Sequence, residues 1–172
     1  LPAERVHHAG MNDSERRARL QRYEEGPALL RATVAKVPAD ALQWRPAPGK
    51  WSVHEIVCHC ADSETISSTR IRFLAGEDRP TIPGYDQDRW AGAFDYHTLA
   101  LEAALRQIEQ VRAWTTTFVR RLPASAWARE GTHTESGRYT AENWLTTYSE
   151  HLEVHARQIE RNLTAWRARS AR

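Results

Sequence analysis

Four long stretches of the chain carry apolar residues three or four positions apart, and this spacing constrains the fold more than any other feature. Such a period places the apolar side chains on one face of an α-helix, which has to be buried against other helices. No stretch shows the sustained alternation of apolar and polar residues that indicates a strand. Proline- and glycine-rich segments separate the predicted helices, which run over roughly residues 14–36, 52–76, 98–122 and from 140 to beyond 166.

The predicted helices favour an all-α fold, a four-helix bundle without a sheet, because long amphipathic helices bury their apolar faces by packing together. Residues 80–97 are too many for a tight antiparallel connection, so we expect a long crossover loop with a short helical turn and a bundle that is not simply up-and-down. The Gly26-Pro27 pair is expected to kink or interrupt the first helix. Ser52 and Glu55 form a capping box that starts the second.

Composition excludes several classes of function. The chain has 172 residues, 41% hydrophobic and 27% charged, with a formal net charge of +2, which is typical of one globular domain. Nearly all cations are arginines interleaved with acidic residues, which indicates solvated helix faces and no nucleic-acid partner. No apolar run approaches the roughly 20 residues that span a bilayer, so no membrane partner is expected. Cys58 and Cys60 are too close on one helix for a disulfide, which fits a cytoplasmic protein.

The first residues are set apart from the predicted fold. Residues 1–10 precede Met11 and lack the apolar core of a signal peptide. We expect residues 1–11 to be an N-terminal extension or a remnant of cloning, and residues 12–172 to form a single domain. His7 and His8 are therefore given little weight as metal ligands.

Histidines supply the chemistry that the sequence suggests. His151 and His155 lie four residues apart on the last predicted helix, which stacks their rings on one face, the face that also carries Leu152 and Ile159. Two buried imidazoles need several hydrogen-bond partners, and a shared cation would satisfy both lone pairs. His59, in the middle of the second helix, is the third candidate ligand. Three nitrogens would leave a position open for water or substrate, as in catalytic sites.

One similar motif does not apply. A zincin has glutamate directly after its first histidine, but Leu152 holds that position and Glu153 points away from the histidine face, so a metalloprotease would lack its general base. Cys58 and Cys60 flank His59 but lie about 100° to either side of it on the helix, so both cannot share its metal. We expect both to be small buried packing residues.

The remaining candidates are assigned to other roles. We expect His54, His97 and His133 to lie at the surface, with His97 near the start of the third helix, although each could contact a substrate. Asp62 and Glu64 follow His59 closely. Glu64 could orient a ligand or pair with an arginine, and for both acids we favour a structural role.

Four segments resemble the DinB superfamily. Residues 49–64 are similar to its first signature, a Trp-Ser cap followed by apolar residues, histidine and a small-acidic run that ends in Glu. Residues 85–90 resemble its acidic-aromatic loop, and residues 131–143 the loop before its last helix. Residues 150–159 resemble its closing H-x-x-x-H-x-x-Q-I motif. The resemblance implies a DinB/YfiT-like four-helix bundle, and Cys58 and Cys60 depart from it where apolar or small residues are expected.

The resemblance also implies a function. It implies a divalent metal on His59, His151 and His155, with zinc or nickel expected and cobalt, iron or manganese also compatible, and a homodimer. Relatives include transferases that use bacillithiol or mycothiol and a mycothiol-dependent maleylpyruvate isomerase. We therefore expect an enzyme that activates a small thiol (an S-transferase) or water (a hydrolase). The alternatives are a non-catalytic metal- or ligand-binding stress-response module and a metal-free bundle. Neither a general base nor residues that bind a thiol cofactor follow from the sequence.

Overall fold

A computed structural model describes residues 10–169, and helices dominate them. In chain order they are α1 (Asp13–Val34), α2 (Val53–Gly76), the short α3 (Gln87–Ala93), α4 (Leu101–Val119) and α5 (Ala141–Ala168). The four long helices confirm the predicted bundle. His7, His8 and most of the extension predicted over residues 1–11 lie outside the described residues, and the single domain over residues 12–172 stays a prediction. Between residues 10 and 169, no helix is long and apolar enough to cross a membrane.

Side chains that bond back to the backbone start three of the long helices. The predicted box is confirmed at α2, where the Glu55 amide donates to Ser52 Oγ at 3.2 Å and the Ser52 amide donates to Glu55 Oε2 at 2.8 Å. Burial acts to raise the pKa of Glu55, but hydrogen bonds from Arg45 and from the Ser52 amide outweigh it and lower that pKa to about 2. Asn12 and Thr140 begin α1 and α5 with similar boxes.

The long helices form a ring in which α1 packs on α5, α5 on α2, α2 on α4 and α4 on α1. Thr65 contacts Gln107 and Ser68 contacts Thr115, so α2 and α4 run in the same direction. Contacts of Arg19 and Arg22 show the same for α1 and α5. Two parallel neighbours need a connection that returns along the whole bundle, which explains the crossover over residues 77–100.

The Gly26-Pro27 pair does not interrupt α1, which continues through it from Asp13 to Val34, and a kink at the pair stays a prediction. Proline has no amide hydrogen, so the carbonyl of Tyr23, four residues earlier, loses its helical partner. Arg112 of α4 replaces that partner, since its Nη1 donates to the Tyr23 carbonyl at 2.8 Å. A Cβ on Gly26 would lie 2.7 Å from the same nitrogen. Gly26 and Pro27, which predict a helix break, therefore leave the space and the free carbonyl that the buried Arg112 occupies.

A small sheet, which the sequence did not predict, stands beside the bundle. Its strands are β1 (Thr81–Ile82), β2 (Glu130–His133) and β3 (Gly137–Thr140), in the order β1-β2-β3. β1 pairs parallel to β2, and β2 and β3 form an antiparallel hairpin in which His133 faces Gly137. Strands of two to four residues are too short to show alternation. The hairpin joins the crossover segment to the start of α5.

Candidate metal centre

Three histidines from two packed helices meet inside the bundle. His59 comes from α2, and His151 and His155 come from successive turns of α5. Each ring offers one nitrogen, and these three atoms all lie within 4.8 Å of one another. The structure thus brings together all three predicted ligands. Metal binding by them stays a prediction.

The geometry of the α5 pair fits a cation. Gln158 Oε1 lies 2.8 Å from His155 Nδ1, and because an amide oxygen only accepts, the proton belongs on Nδ1. The lone pair of His155 Nε2 then points towards His151 Nε2, 3.2 Å away. Two nitrogens bound about 2.0–2.1 Å from one tetrahedral ion are about 3.3 Å apart. The pair is therefore spaced as two ligands of one ion would be.

Burial keeps the three rings neutral. It lowers the pKa of His59 to about 3, helped by the neighbouring His155. Burial, followed by the other two rings, lowers the pKa of His151 well below its usual range. Burial also lowers the pKa of His155, against the raising effect of Gln158. The Nδ1 atoms of His59 and His151 are buried with no hydrogen-bond partner among the described residues. Neutral, incompletely bonded imidazoles are a donor set that a divalent cation fits.

Two cavities border this cluster. His59 and His151 line the first, of about 230 Å³, and His155 and Gln158 line the second, of about 280 Å³. Gln87, at the start of α3, lines both, so the crossover segment runs where the two cavities approach each other. The first cavity also has Arg70, Tyr85, His133, Glu135 and Tyr148 in its wall, and the second has Lys50, Trp51 and Asp88.

Two of these wall residues could have been found in the sequence. Arg70 follows His59 by eleven residues, which is three helical turns plus about 20°, so both lie on one face of α2. Gln158 follows His155 by three residues, close enough on a helix for a hydrogen bond. Trp51, whose ring centroid is 4.8 Å from that of His59, gave no such signal because it precedes the helix.

Two histidines assigned to the surface are buried. His54 is only 7% exposed, and its Nε2 bonds the Leu99 carbonyl at 2.8 Å, because the segment before α4 folds over the start of α2. His133 is 8% exposed and lines the first cavity, where β2 places it. His97 is half-buried and lies in a 3₁₀ turn, where it contacts Ser52 Oγ at 2.7 Å. It does not start α4, whose cap is Ala100.

The remaining candidates are buried or have hydrogen-bonding partners. Cys58 and Cys60 are both buried, and they form no disulfide bond. Asp62 accepts a hydrogen bond from the Tyr96 hydroxyl at 2.6 Å. Glu64 is fully buried and pairs with Arg112. These contacts agree with the structural roles favoured for both acids.

Comparison with known proteins places these features in a family. The model of the DinB superfamily matches residues 22–159. A presumed metal-dependent hydrolase of Oceanobacillus iheyensis is 29% identical over 140 residues, 81% of each chain. Bacillus subtilis YfiT, presumed to be a metal-dependent hydrolase, is 28% identical over 141 residues, 81% of this chain and 79% of YfiT.

Solved structures agree. The structure of YfiT, described as a probable metal-dependent hydrolase with an unusual four-helix bundle topology, superposes with a TM-score of 0.84 at 25% identity, covering 92% of this chain and 91% of that one. A mycothiol-dependent maleylpyruvate isomerase superposes with a TM-score of 0.65 at 18% identity, covering 82% of this chain and 59% of the isomerase. The second likeness shows the fold alone.

Proposed function

The chain belongs to the DinB superfamily, and we propose that it is a metal-dependent enzyme that activates a small thiol or a water molecule at His59, His151 and His155. The observation that carries the proposal is the cluster of three neutral imidazoles, one buried and two half-buried, bordered by two cavities. Three protein ligands leave a coordination position open, as in catalytic zinc sites. The presumed metal dependence of the relatives supports this proposal.

Residues of this chain would prepare the site. A divalent cation, zinc or nickel in our proposal, would supply Lewis acidity that lowers the pKa of a thiol or water. Gln158 holds the His155 ring in the tautomer whose Nε2 lone pair is free, and Trp51 packs against the His59 ring. Orienting partners of this kind strengthen metal affinity.

Two cavities favour thiol transfer over hydrolysis. A transferase has to hold a thiol and an electrophile, whereas a hydrolase has to hold one organic molecule beside water. The cavities beside His151 and His155 give two organic reactants separate access to one centre. The mycothiol dependence of the isomerase with a similar fold is consistent with this preference. The homodimer and the cytoplasmic location stay predictions.

Metal content tests the proposal. The protein is purified without a metal-affinity column, and bound metal is measured by plasma mass spectrometry for wild type, His155→Ala and a control, His97→Ala, whose ring lies outside the cluster. We expect about one ion per chain in wild type and control, and a loss of at least about tenfold in His155→Ala. A wild-type protein that is metal-free and cannot be loaded with zinc or nickel would contradict the proposal.

Turnover then separates enzyme from binding module. Loaded wild type is assayed with small thiols against a chromogenic aryl halide, and without thiol against activated esters. Activity that is lost in His155→Ala supports an enzyme and identifies its class. Stoichiometric metal without turnover of either kind would favour a non-catalytic module.

A further inference from the structure

Of the described residues that line the cavity beside His59 and His151, one is a permanent cation, Arg70. Arg70 forms no salt bridge with any carboxylate in residues 10–169, although most arginines that contact other helices do. A half-buried guanidinium without a counter-ion is uncommon, because arginine is usually paired when it leaves water. Arg70 is therefore a positive charge beside the candidate metal centre that no carboxylate of these residues contacts.

Two fixed contacts hold Arg70 in place. Its Nη1 donates to the Tyr148 hydroxyl at 3.1 Å, and its Nη2 donates to the Pro83 carbonyl at 2.8 Å. Its Nε is buried and has no partner among the described residues. Of the five N–H groups of a guanidinium, two therefore remain available to a ligand, one on each terminal nitrogen. An arginine that neutral partners hold in place, and that has unused N–H donors, can bind a planar anion.

The phenol and imidazole groups in the wall are neutral, so they neither add to this charge nor cancel it. Burial raises the pKa of both Tyr85 and Tyr148, so both phenols stay neutral. Burial, followed by Arg70, lowers the pKa of His133, which stays neutral as well. Glu135 is the one acidic residue that the described part of the chain contributes to this wall, and it forms no salt bridge with Arg70. It is exposed at the rim, packed over Gly84, where an added Cβ would lie 2.5 Å from its carboxyl carbon.

We propose that Arg70 binds a carboxylate of the substrate, so that the substrate is a small organic acid whose reacting end faces His59 and His151. This inference rests on the proposed function and names the substrate class of the same site. The guanidinium matches a carboxylate in shape and charge, and the volume of about 230 Å³ suits a short acid. A substrate bound at its far end is held in one orientation for reaction at the other.

Calorimetric titration with malonate, succinate and glutarate tests the assignment, on both zinc-loaded and metal-free protein. The variants are Arg70→Met and Arg70→Lys. The matched control is Arg72→Met, which removes an arginine of the same helix that bonds Ser68 and lies outside the cavity. We expect Arg70→Met to weaken binding of the best acid about ten- to hundredfold and Arg72→Met to leave it within about twofold. Glu135→Gln should bind as tightly as wild type or tighter, because it removes a repelling charge.

Arg70→Lys keeps the charge but not the planar pair of donors, so we expect intermediate affinity from it. It also carries the test if Arg70→Met fails to fold. Equal affinity in wild type and the Arg70 variants, or no binding of any of the three acids to wild type, would overturn the inference. The dimethyl ester of the best acid should not bind, and ester binding as tight as that of the acid would also overturn it.

Zinc content of the same samples separates the two proposals. Wild type that takes up zinc but binds acids independently of Arg70 would refute the role of Arg70 and leave the metal centre in place. If wild type takes up no zinc but binds the acid, and Arg70→Met does not bind it, the result would support the role of Arg70 and refute the metal-dependent enzyme.

Discussion

Removing either partner of the buried Arg112–Glu64 pair is predicted to destabilise the bundle by about 3–5 kcal/mol, because the remaining charge would be buried alone. Both side chains are at most 1% exposed. Arg112 Nε donates to Glu64 Oε2 at 3.0 Å, and Nη2 donates to the other carboxylate oxygen. The guanidinium carbon also lies 4.1 Å from the centre of the Tyr23 ring. The loss would be a large part of the roughly 5–15 kcal/mol that stabilises a domain.

A double-mutant cycle isolates the pair. Glu64→Met leaves the buried arginine without a counter-ion. Arg112→Met leaves the buried carboxylate without one, and it also leaves the Tyr23 carbonyl without a hydrogen bond, because Pro27 has no amide hydrogen to donate to it. The double variant has no unpaired charge and only the Tyr23 carbonyl without a partner, which should lower its free energy of unfolding by about 1–3 kcal/mol. We therefore expect the double variant to be more stable than either single variant, with a coupling energy of about 3 kcal/mol or more.

Urea unfolding followed by circular dichroism gives the free energies of unfolding for the cycle. The matched control is Glu24→Gln, which breaks the partly exposed pair between Glu24 of α1 and Arg120, the residue that follows α4, and should lose about 1 kcal/mol or less. Additive effects of the two single variants would refute the coupling. Losses no larger than that of the control would refute the view that burial makes this pair strong.

Three further changes have definite expected outcomes. Glu55 has a pKa of about 2 in the fold against an ordinary 4.5, so it stabilises the protein above that ordinary value, by about 3 kcal/mol, and the contribution disappears as the pH falls towards 2. Urea unfolding of Glu55→Gln should accordingly show a flatter pH profile below pH 5 than wild type. Gln158→Leu removes the acceptor that orients the neighbouring histidine, and competition with a chelator should show zinc affinity reduced about ten- to hundredfold without loss of stability. Gly131→Ala would place a Cβ 2.3 Å from the Pro80 carbonyl oxygen and should lower thermal stability by about 1–3 kcal/mol, whereas Gly92→Ala, where an added Cβ meets nothing within 4 Å, should not.

The helices followed from the sequence because their signals are local. Apolar spacing and the Ser52 cap predicted α2 as it is observed, and the start of α5 at Thr140 was also predicted. The short sheet was not predicted, since the pairing of β1 with β2 joins residues about 50 positions apart and has no local signature. The continuity of α1 through the Gly26-Pro27 pair could not be read from the sequence for the same reason, because the arginine that bonds the Tyr23 carbonyl comes from another helix.

The residues of the candidate site likewise fall into those with a local sequence signal and those without one. His151 and His155 were predictable from one helical turn, and His59 from the apolar face of its own helix. His133 was not, because it reaches the first cavity only through the hairpin that follows α4. Burial of His54 likewise depends on a distant segment, the backbone at Leu99.

This division bears on how such a protein can change its substrate. The nitrogens of the proposed metal centre lie on two long helices that pack directly against each other, so their spacing is set by the core and tolerates little variation. Four of the ten residues that line the first cavity come from other segments: Tyr85 and Gln87 from the crossover, and His133 and Glu135 from the hairpin. These segments can be altered without repacking the core. Arg70 belongs to both groups, since its backbone lies on α2 while Pro83 of the crossover fixes its guanidinium. If both proposals hold, a change in the crossover would redirect the proposed anion-binding group and leave the histidines in place, so substrate choice could change without a change at the proposed metal centre.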